Sequence, residues 1–344
     1  MILSGDIGGT NTRLALVNQD DAGRFHLDTL QTYSSRRYEG LHEIVAQFLD
    51  EHPATITTAC FGVAGPVKNG RCATMNLTWV VDQRELAGRL GIADVSVIND
   101  LEAMAYGVSC LSPPDIEVLN PGVPDATGHA VVVSPGTGLG EAGMYWDGCQ
   151  YHPIATEGGH ADFAARNELE IELLRFLLKE YDHVSYERIV SGPGLVNIYR
   201  FLRDTQRGDE PPWLADELKQ ADSAAVISQA ALAKRAPLCE QALDLFIELF
   251  GAEAGNMALN YMATGGVWLG GGIPVKILDR LKTTDLFMNA FLDKGRLRNR
   301  LFEMPVRVIL NDKTGLLGAA RRAAGMLSEK KPCTPEPCLV GCSF

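Results

Sequence analysis

Ser4-Gly5-Asp6-Ile7-Gly8-Gly9-Thr10-Asn11-Thr12-Arg13-Leu14-Ala15-Leu16-Val17 is the stretch on which the fold of this chain turns. Apolar Ile2 and Leu3 lead into it and the residues from Arg13 to Val17 lead out, with glycine and small polar residues between. That pattern describes two strands joined by a tight turn. Because Gly8 and Gly9 carry no β-carbon, main-chain N–H groups there can face a phosphate, and Thr10 can add a hydroxyl donor. Asp6, at the strand end, can hold Mg²⁺ directly or through water. An ordinary glycine hairpin would look the same, since short glycine motifs recur widely. The remaining sequence has to decide between the two.

With 344 residues the chain exceeds one ordinary core and suits two α/β lobes. Hydrophobic residues make up 46% and charged residues 22%, the balance of a globular protein. No apolar stretch approaches a membrane span, and the amino terminus enters a strand without a signal-peptide pattern. A cytoplasmic enzyme is expected. The net charge of −12 argues against nucleic acid or an anionic membrane as partner, so any bound nucleotide must be held by local groups. Eight cysteines are scattered, and the first five (Cys60, Cys72, Cys110, Cys149, Cys239) sit mostly in apolar surroundings that suit reduced, buried thiols.

Further along, Phe25 to Tyr33 reads as a third strand, and Leu41, Ile44, Val45, Phe48 and Leu49 repeat at helical spacing. A strand over Ile56 to Val63 ends in the turn-rich Gly62-Val63-Ala64-Gly65-Pro66-Val67, followed by Met75-Asn76-Leu77-Thr78-Trp79. Asp82 with Glu85 begins a helix that stops at Gly91. Val95 to Ile98 then delivers Asn99-Asp100 at a strand's carboxyl end, where ligands of α/β folds gather. Ser112 to Gly128 reads as a lobe boundary. Beyond it, Ala130 to Ser134 and Pro135-Gly136-Thr137-Gly138-Leu139-Gly140 nearly repeat the opening motif. Glu157-Gly158-Gly159-His160 follows, then a helix capped by Asn167 with Glu170, then Ser185-Tyr186-Glu187-Arg188, which opens a short helix broken by Gly192-Pro193-Gly194. Thr205 to Asp222 reads as a polar surface excursion. A long helix from about Leu238 to Met262 precedes a strand running into Gly270-Gly271-Gly272, and a last strand (Pro305 to Leu310) precedes a last helix opened by Thr314. From Ser328 the chain lacks periodicity and is expected to be disordered and dispensable.

Three glycine loops thus follow strands. Two carry threonine and suit phosphates, whereas Gly270-Gly271-Gly272 has no hydroxyl or charge and suits a flat adenine or ribose. No Gly-x-x-x-x-Gly-Lys-Ser/Thr stretch occurs, which excludes the usual P-loop.

The order of these motifs resembles the sugar-kinase branch of the actin-like ATPase superfamily, over nearly the whole chain: phosphate-one at Asp6 to Thr10, first-connect at Ile98 to Asp100, phosphate-two at Gly136 to Gly140, adenosine at Gly270 to Gly272 and second-connect at Thr314 to Ala320. Gly-Asp-Ile-Gly-Gly-Thr-Asn, Ile-Asn-Asp, Glu-Gly-Gly-His, Ser-Gly-Pro-Gly-Leu and Gly-Leu-Leu-Gly together are similar to the bacterial-type, ATP-dependent glucokinases. The resemblance implies an α/β, two-lobe actin-like (ribonuclease H-like) fold with an inter-lobe cleft. One small lobe would cover about residues 1 to 110, completed by about 309 to 327, and a large lobe about 111 to 308. It implies transfer of the γ-phosphoryl of Mg-ATP to the 6-hydroxyl of glucose. Gly5, Asp6, Ile7, Gly8, Gly9, Thr10, Gly136, Thr137, Gly138, Gly270, Gly271 and Gly272 would hold ATP, and Asp6 the Mg²⁺. Asn99, Asp100, Glu157, His160 and Glu187 would line the sugar, with Asp100 as general base. Taken singly, Asp100 also reads as a helix cap, Glu187 as a first-turn acid, Asn99 as a turn former and His160 as a core or loop histidine.

A related branch, the repressor and open-reading-frame kinases, pairs a similar histidine with zinc-binding cysteines. No cysteine occurs here between Cys149 and Cys239, so no zinc is expected. The alternatives to a glucose kinase are a kinase for another hexose or amino sugar, a sugar sensor without turnover, and a filament-forming actin relative. The sugar-lining set disfavours the filament, and Asp100 disfavours the sensor. The sequence is compatible with a homodimer and does not fix the oligomeric state.

Overall fold

Apolar runs bounded by turn residues build the first sheet. The computed structural model describes residues 1–74 and 77–328, so part of the Met75 to Trp79 stretch and the tail beyond Ser328 lie outside the described residues. Strands β1 (Ile2–Ile7) and β2 (Asn11–Gln19) pair antiparallel, with Asp6 opposite Arg13, and β3 (Phe25–Ser34) pairs with β2. Helix α1 (Leu41–Glu51) buries Leu41, Ile44, Val45 and Phe48 at the expected spacing. Strand β4 (Thr58–Val63) is buried at every position, as befits a strand covered on both faces. Short strands β5 (Val67–Lys68), β6 (Arg71–Ala73) and β7 (Val80–Asp82) form a small separate sheet. Helix α2 (Gln83–Leu90) starts where the Asp82 side chain accepts from the N–H groups of Arg84 and Glu85, and stops at Gly91, whose φ of 65° is left-handed. Strand β8 (Val95–Asn99) and helix α3 (Asp100–Val108) follow.

The chain divides into two compact units, Met1–Ala103 with the segment from Leu316 onward, and Met104–Gly315. In the second unit, β9 (Ile116–Asn120), β10 (Ala130–Pro135), β11 (Leu139–Trp146) and β12 (Tyr151–Ala155) precede α4 (Glu168–Leu177), α5 (Gly192–Asp204), α6 (Pro212–Gln220), α7 (Ser223–Leu232) and α8 (Pro237–Tyr261). Then come β13 (Gly266–Leu269), α9 (Gly272–Lys276), α10 (Leu278–Thr283), α11 (Leu286–Leu292), α12 (Arg298–Phe302), β14 (Val306–Ile309) and α13 (Thr314–Ser328). The α8 helix is the spine of this unit's core, with Phe246 and Phe250 fully buried alongside Phe287 and Phe291 of α11. Most of α13 belongs to the first unit, where its Leu316 carbonyl accepts from Ser4 Oγ at 2.6 Å.

The two main sheets share one pattern, in orders β3-β2-β1-β4-β8 and β12-β11-β10-β13-β14-β9. In each, the strand before a glycine loop is antiparallel to its successor on one side and parallel to a later strand on the other. The near repeat in the sequence is therefore a repeat of topology, in an α/β fold with mixed sheets.

Several local expectations are corrected. Gly192-Pro193-Gly194 begins α5, because proline is compatible with a helix's first turn, and Ser191 Oγ caps it by accepting from Gly194 N at 3.0 Å. The short helix before it is a single 3-10 turn, Tyr186–Arg188. The Thr205 to Asp222 stretch contains α6, which buries Leu214 completely and again starts at a proline. The Ser112 to Gly128 stretch contributes β9, an edge strand of the second unit's sheet. Of the first five cysteines, Cys60, Cys72 and Cys239 are buried, but Cys110 is half-buried and Cys149 exposed. No helix among the described residues is long and apolar enough to cross a membrane.

Candidate functional site

In the first unit the functional candidates stand at the carboxyl ends of three neighbouring parallel strands. The register aligns Ile7 with Val63, and Val63 with Asn99. Asp6, near the end of β1, and Asp100, just past the end of β8, thus flank the end of β4. A β-carbon at Gly62 would sit 3.6 Å from Asp100 Cα and 3.7 Å from the Gly5 carbonyl oxygen. The turn of Gly8, Gly9 and Thr10 is closed by Gly8 N donating to Asn11 O at 2.9 Å. Ser35 braces it from outside, its Oγ donating to Gly8 O at 2.8 Å and its N–H to Thr10 O at 2.9 Å.

Sequence reasoning passed over a partner of Asp6. Arg13, directly across the hairpin, donates to Asp6 Oδ2 from Nη2 at 2.6 Å and from Nε at 3.1 Å. The half-buried carboxylate is thereby held in one orientation. The signal was available, since residues flanking a short turn face each other across the strands.

Capping of α3 falls mainly on Asn99, whose Oδ1 accepts from Leu101 N at 2.9 Å and Glu102 N at 3.3 Å while its Nδ2 donates to Gly65 O at 3.1 Å. Asp100 opens the helix and accepts from Leu101 N at 3.0 Å. Burial raises the pKa of Glu102 one turn in, and raises the Cys60 thiol to about 12, which keeps that thiol inert.

In the second unit three sugar-set candidates converge. Glu157 and His160 bracket a 3-10 turn over Gly158–His160, and Glu187 arrives from the turn Tyr186–Arg188. His160 Nε2 lies 3.9 Å from Glu157 Oε2, and Nδ1 lies 4.0 Å from Glu187 Oε1. The imidazole is about half exposed and the Glu187 side chain 29% exposed, so all three can meet a solute. Glu187 Oε2 is anchored by Leu139 N at 2.9 Å. It occupies the place a β-carbon at Gly138 would need, so Glu187 and the Gly136 to Gly140 loop are in close contact.

The second glycine loop also meets the start of α5. Gly136 N donates to Gly138 O at 2.7 Å, and Gly136 O accepts from Gly192 N at 2.8 Å at the start of α5. Beside them is a cavity of about 650 Å³ bounded by Gly136, Thr137, Pro193, Ser223, Gly272 and Lys276, with an apolar wall that includes Leu195, Phe246 and Ile273. Its size and mixed lining suit a nucleoside. The α5 and α7 starts that shape it are hard to read in the sequence because the first opens on Gly-Pro and the second follows a polar stretch. Among the described residues, no group of three or more His, Cys, Asp or Glu side chains could hold a metal ion.

Residues 3–326 match the family model described as glucokinase. A glucokinase of Nostoc punctiforme is 42% identical over 338 residues, covering 94% of this chain and 99% of its own. One from Nostoc sp. is 42% identical over 339 residues, with the same coverage of the two chains. Among solved structures, a glucokinase from an Antarctic psychrotroph superposes with a TM-score of 0.83 at 32% identity, covering 94% of this chain and 98% of that one. Fold and comparisons together define a sugar kinase of the actin- and hexokinase-like class. Within that class, the chain belongs to the glucokinase family. Its activity is that of an ATP-dependent hexose kinase phosphorylating glucose.

Proposed function

We propose that Asp100 is the general base that accepts the proton of the glucose 6-hydroxyl as its oxygen bonds to the γ-phosphorus of ATP and ADP leaves. A sugar hydroxyl is a poor nucleophile, and a strand-end carboxylate offers a fixed acceptor. Asn99, Glu157, His160 and Glu187 bind the other hydroxyls, which both donate and accept and so need partners of both kinds. The observation that supports the sugar-binding set is the imidazole of His160 set between the carboxylates of Glu157 and Glu187 at 3.9 and 4.0 Å, part-exposed, with Glu187 brought in from a separate turn.

Gly5, Asp6, Ile7, Gly8, Gly9 and Thr10, at the end of β1 and its turn, and Gly136, Thr137 and Gly138 are assigned to the phosphates, with the N–H groups of Gly8 and Gly136 already engaged within their own turns, and Gly270, Gly271 and Gly272 are assigned to the nucleoside. Asp6, oriented by Arg13, suits Mg²⁺, which takes one or two carboxylates and otherwise water and phosphate oxygens. When bound, Mg²⁺ supplies neutralisation of phosphate charge. Zinc has no part in this assignment, and the enzyme is taken as cytoplasmic with small-molecule partners only.

Steady-state kinetics on Glu157→Gln and Glu187→Gln, with glucose and a panel of hexoses and amino sugars, test the sugar set. Both variants should raise KM for glucose by about tenfold or more and change kcat less, because their partners are hydroxyls away from the transfer. Unchanged KM with reduced kcat would remove them from the sugar set.

A further inference from the structure

Behind the Glu157–His160 turn lies a carboxyl group that the chemistry above leaves unused. Glu141, on β11, is 1% exposed, and neither of its side-chain oxygens receives a hydrogen bond from an N–H or hydroxyl group. What it faces is a second acid, Glu253 of α8, itself 4% exposed and within hydrogen-bonding reach. Two carboxyl groups so buried cannot both be ionised. Glu253 is the one supplied with donors: Asn256 Nδ2 gives to its Oε2 at 2.9 Å, and the Tyr186 hydroxyl and the Lys294 charge also favour its anion. Lys294 Nζ in turn donates to Asn256 Oδ1 at 2.6 Å and to Ala252 O at 3.0 Å. The proton therefore resides on Glu141, whose pKa burial and the facing Glu253 push well above the carboxylate range.

This acid pair is attached to both flanks of the sugar set. Glu141 Oε2 fills the space that a β-carbon at Gly158 would occupy. The Glu141 carbonyl accepts from Thr156 Oγ1 at 3.0 Å, and that hydroxyl accepts from Gly158 N at 3.1 Å. On the other flank, Asn256 Nδ2 lies 2.9 Å from the hydroxyl of Tyr186, the residue before Glu187.

We infer that Glu141 is a positioning residue for sugar binding: as a neutral acid donating its proton to Glu253, it holds the turn carrying Glu157 and His160 and the segment carrying Glu187 in place, and releases them when it ionises. This rests on the sugar roles proposed above for those three residues. The groups facing the pair are Tyr261 and Asn256 from α8, Tyr186 from its 3-10 turn, and Lys294, with Arg166 and Glu170 beyond Lys294. Loss of the Glu141 proton sets two carboxylates against each other directly beneath Gly158.

The test is KM for glucose, KM for ATP and kcat from neutral to alkaline pH in wild type, Glu141→Gln and Glu187→Gln. Glutamine keeps the shape and an N–H donor for Glu253 but cannot ionise. Glu141→Gln should match wild type within about threefold at neutral pH. Wild-type KM for glucose should then climb by up to about tenfold per pH unit above the Glu141 pKa, while the variant stays flat and KM for ATP is unmoved in both. Tyr261 titrates in both proteins, so the difference between them reports Glu141. Parallel glucose profiles in wild type and Glu141→Gln, or equal rises in both KM values, would overturn the positioning role. Glu187→Gln should raise KM for glucose at every pH. If it does not, the sugar assignment falls and the inference with it. If it does while Glu141→Gln tracks wild type, the positioning role alone is wrong.

Discussion

Replacing Glu141 by glutamine should flatten the dependence of stability on pH. In the unfolded chain the Glu141 carboxyl titrates near 4.3, whereas burial and Glu253 hold it protonated in the fold to far higher pH. Between those two values the native state retains a proton that the unfolded state has lost. Stability therefore falls as pH rises, by up to about 1.4 kcal/mol per pH unit from this group. The contribution is complete below the unfolded pKa and gone above the native one. Over two pH units it amounts to at most about 2.7 kcal/mol, or roughly 5–10 °C in Tm for a domain of about 200 residues. Glu102 and Glu248 are also raised by burial and tilt the curve the same way in both proteins. The informative quantity is thus the wild-type slope minus the Glu141→Gln slope, measured by chemical denaturation at a series of pH values from mildly acidic to mildly alkaline. A steeper wild-type decline is expected. Slopes equal within about 0.3 kcal/mol per pH unit would show that Glu141 carries no extra proton in the native state.

Removing the fork that holds Asp6, by Arg13→Leu, should raise the Mg²⁺ concentration needed for half-maximal activity several-fold and lower Tm, read by Mg²⁺ titration and melting; an unchanged Mg²⁺ requirement would separate Asp6 from the metal. Asp82→Ala deletes the cap of α2 and should cost about 1 kcal/mol by chemical denaturation with kinetics untouched. Ala225→Phe, projecting bulk into the cavity beside Thr137 and Gly272, should raise KM for ATP at least about tenfold and leave KM for glucose within about twofold. If glucose affinity suffers instead, the cavity does not take the nucleotide.

What was legible in the sequence was legible because it is local. The Asp6 to Thr10 turn, the cap and stop of α2 at Asp82 and Gly91, and the Asn167 cap of α4 each declare themselves within a few residues. The periodicity of α1 and the apolar length of α8 did the same for packing. Proline misled twice, at Pro193 and Pro212, where a residue that ends helices stands in a first turn instead. Helices of five to seven residues such as α9 to α12 are too short for a 3.6-residue period to emerge, and β9 lacks clean alternation. The candidate site shows the same division. Its glycine loops and strand-end acids are sequence motifs, but the anchoring of Glu187 by Leu139 and the pairing of Glu141 with Glu253 join residues far apart in the chain. Only folding places them together.

Asp100→Asn tests the central claim most directly. Asparagine keeps the shape at the start of α3 and can still bond a hydroxyl, yet it cannot take the proton. Calorimetry should find the Kd for glucose within about threefold of wild type, while kcat falls by the ~10²–10⁴-fold of a lost general base. Turnover near the wild-type rate would contradict the mechanism, leaving Asp100 as a helix-opening residue beside the Asn99 cap.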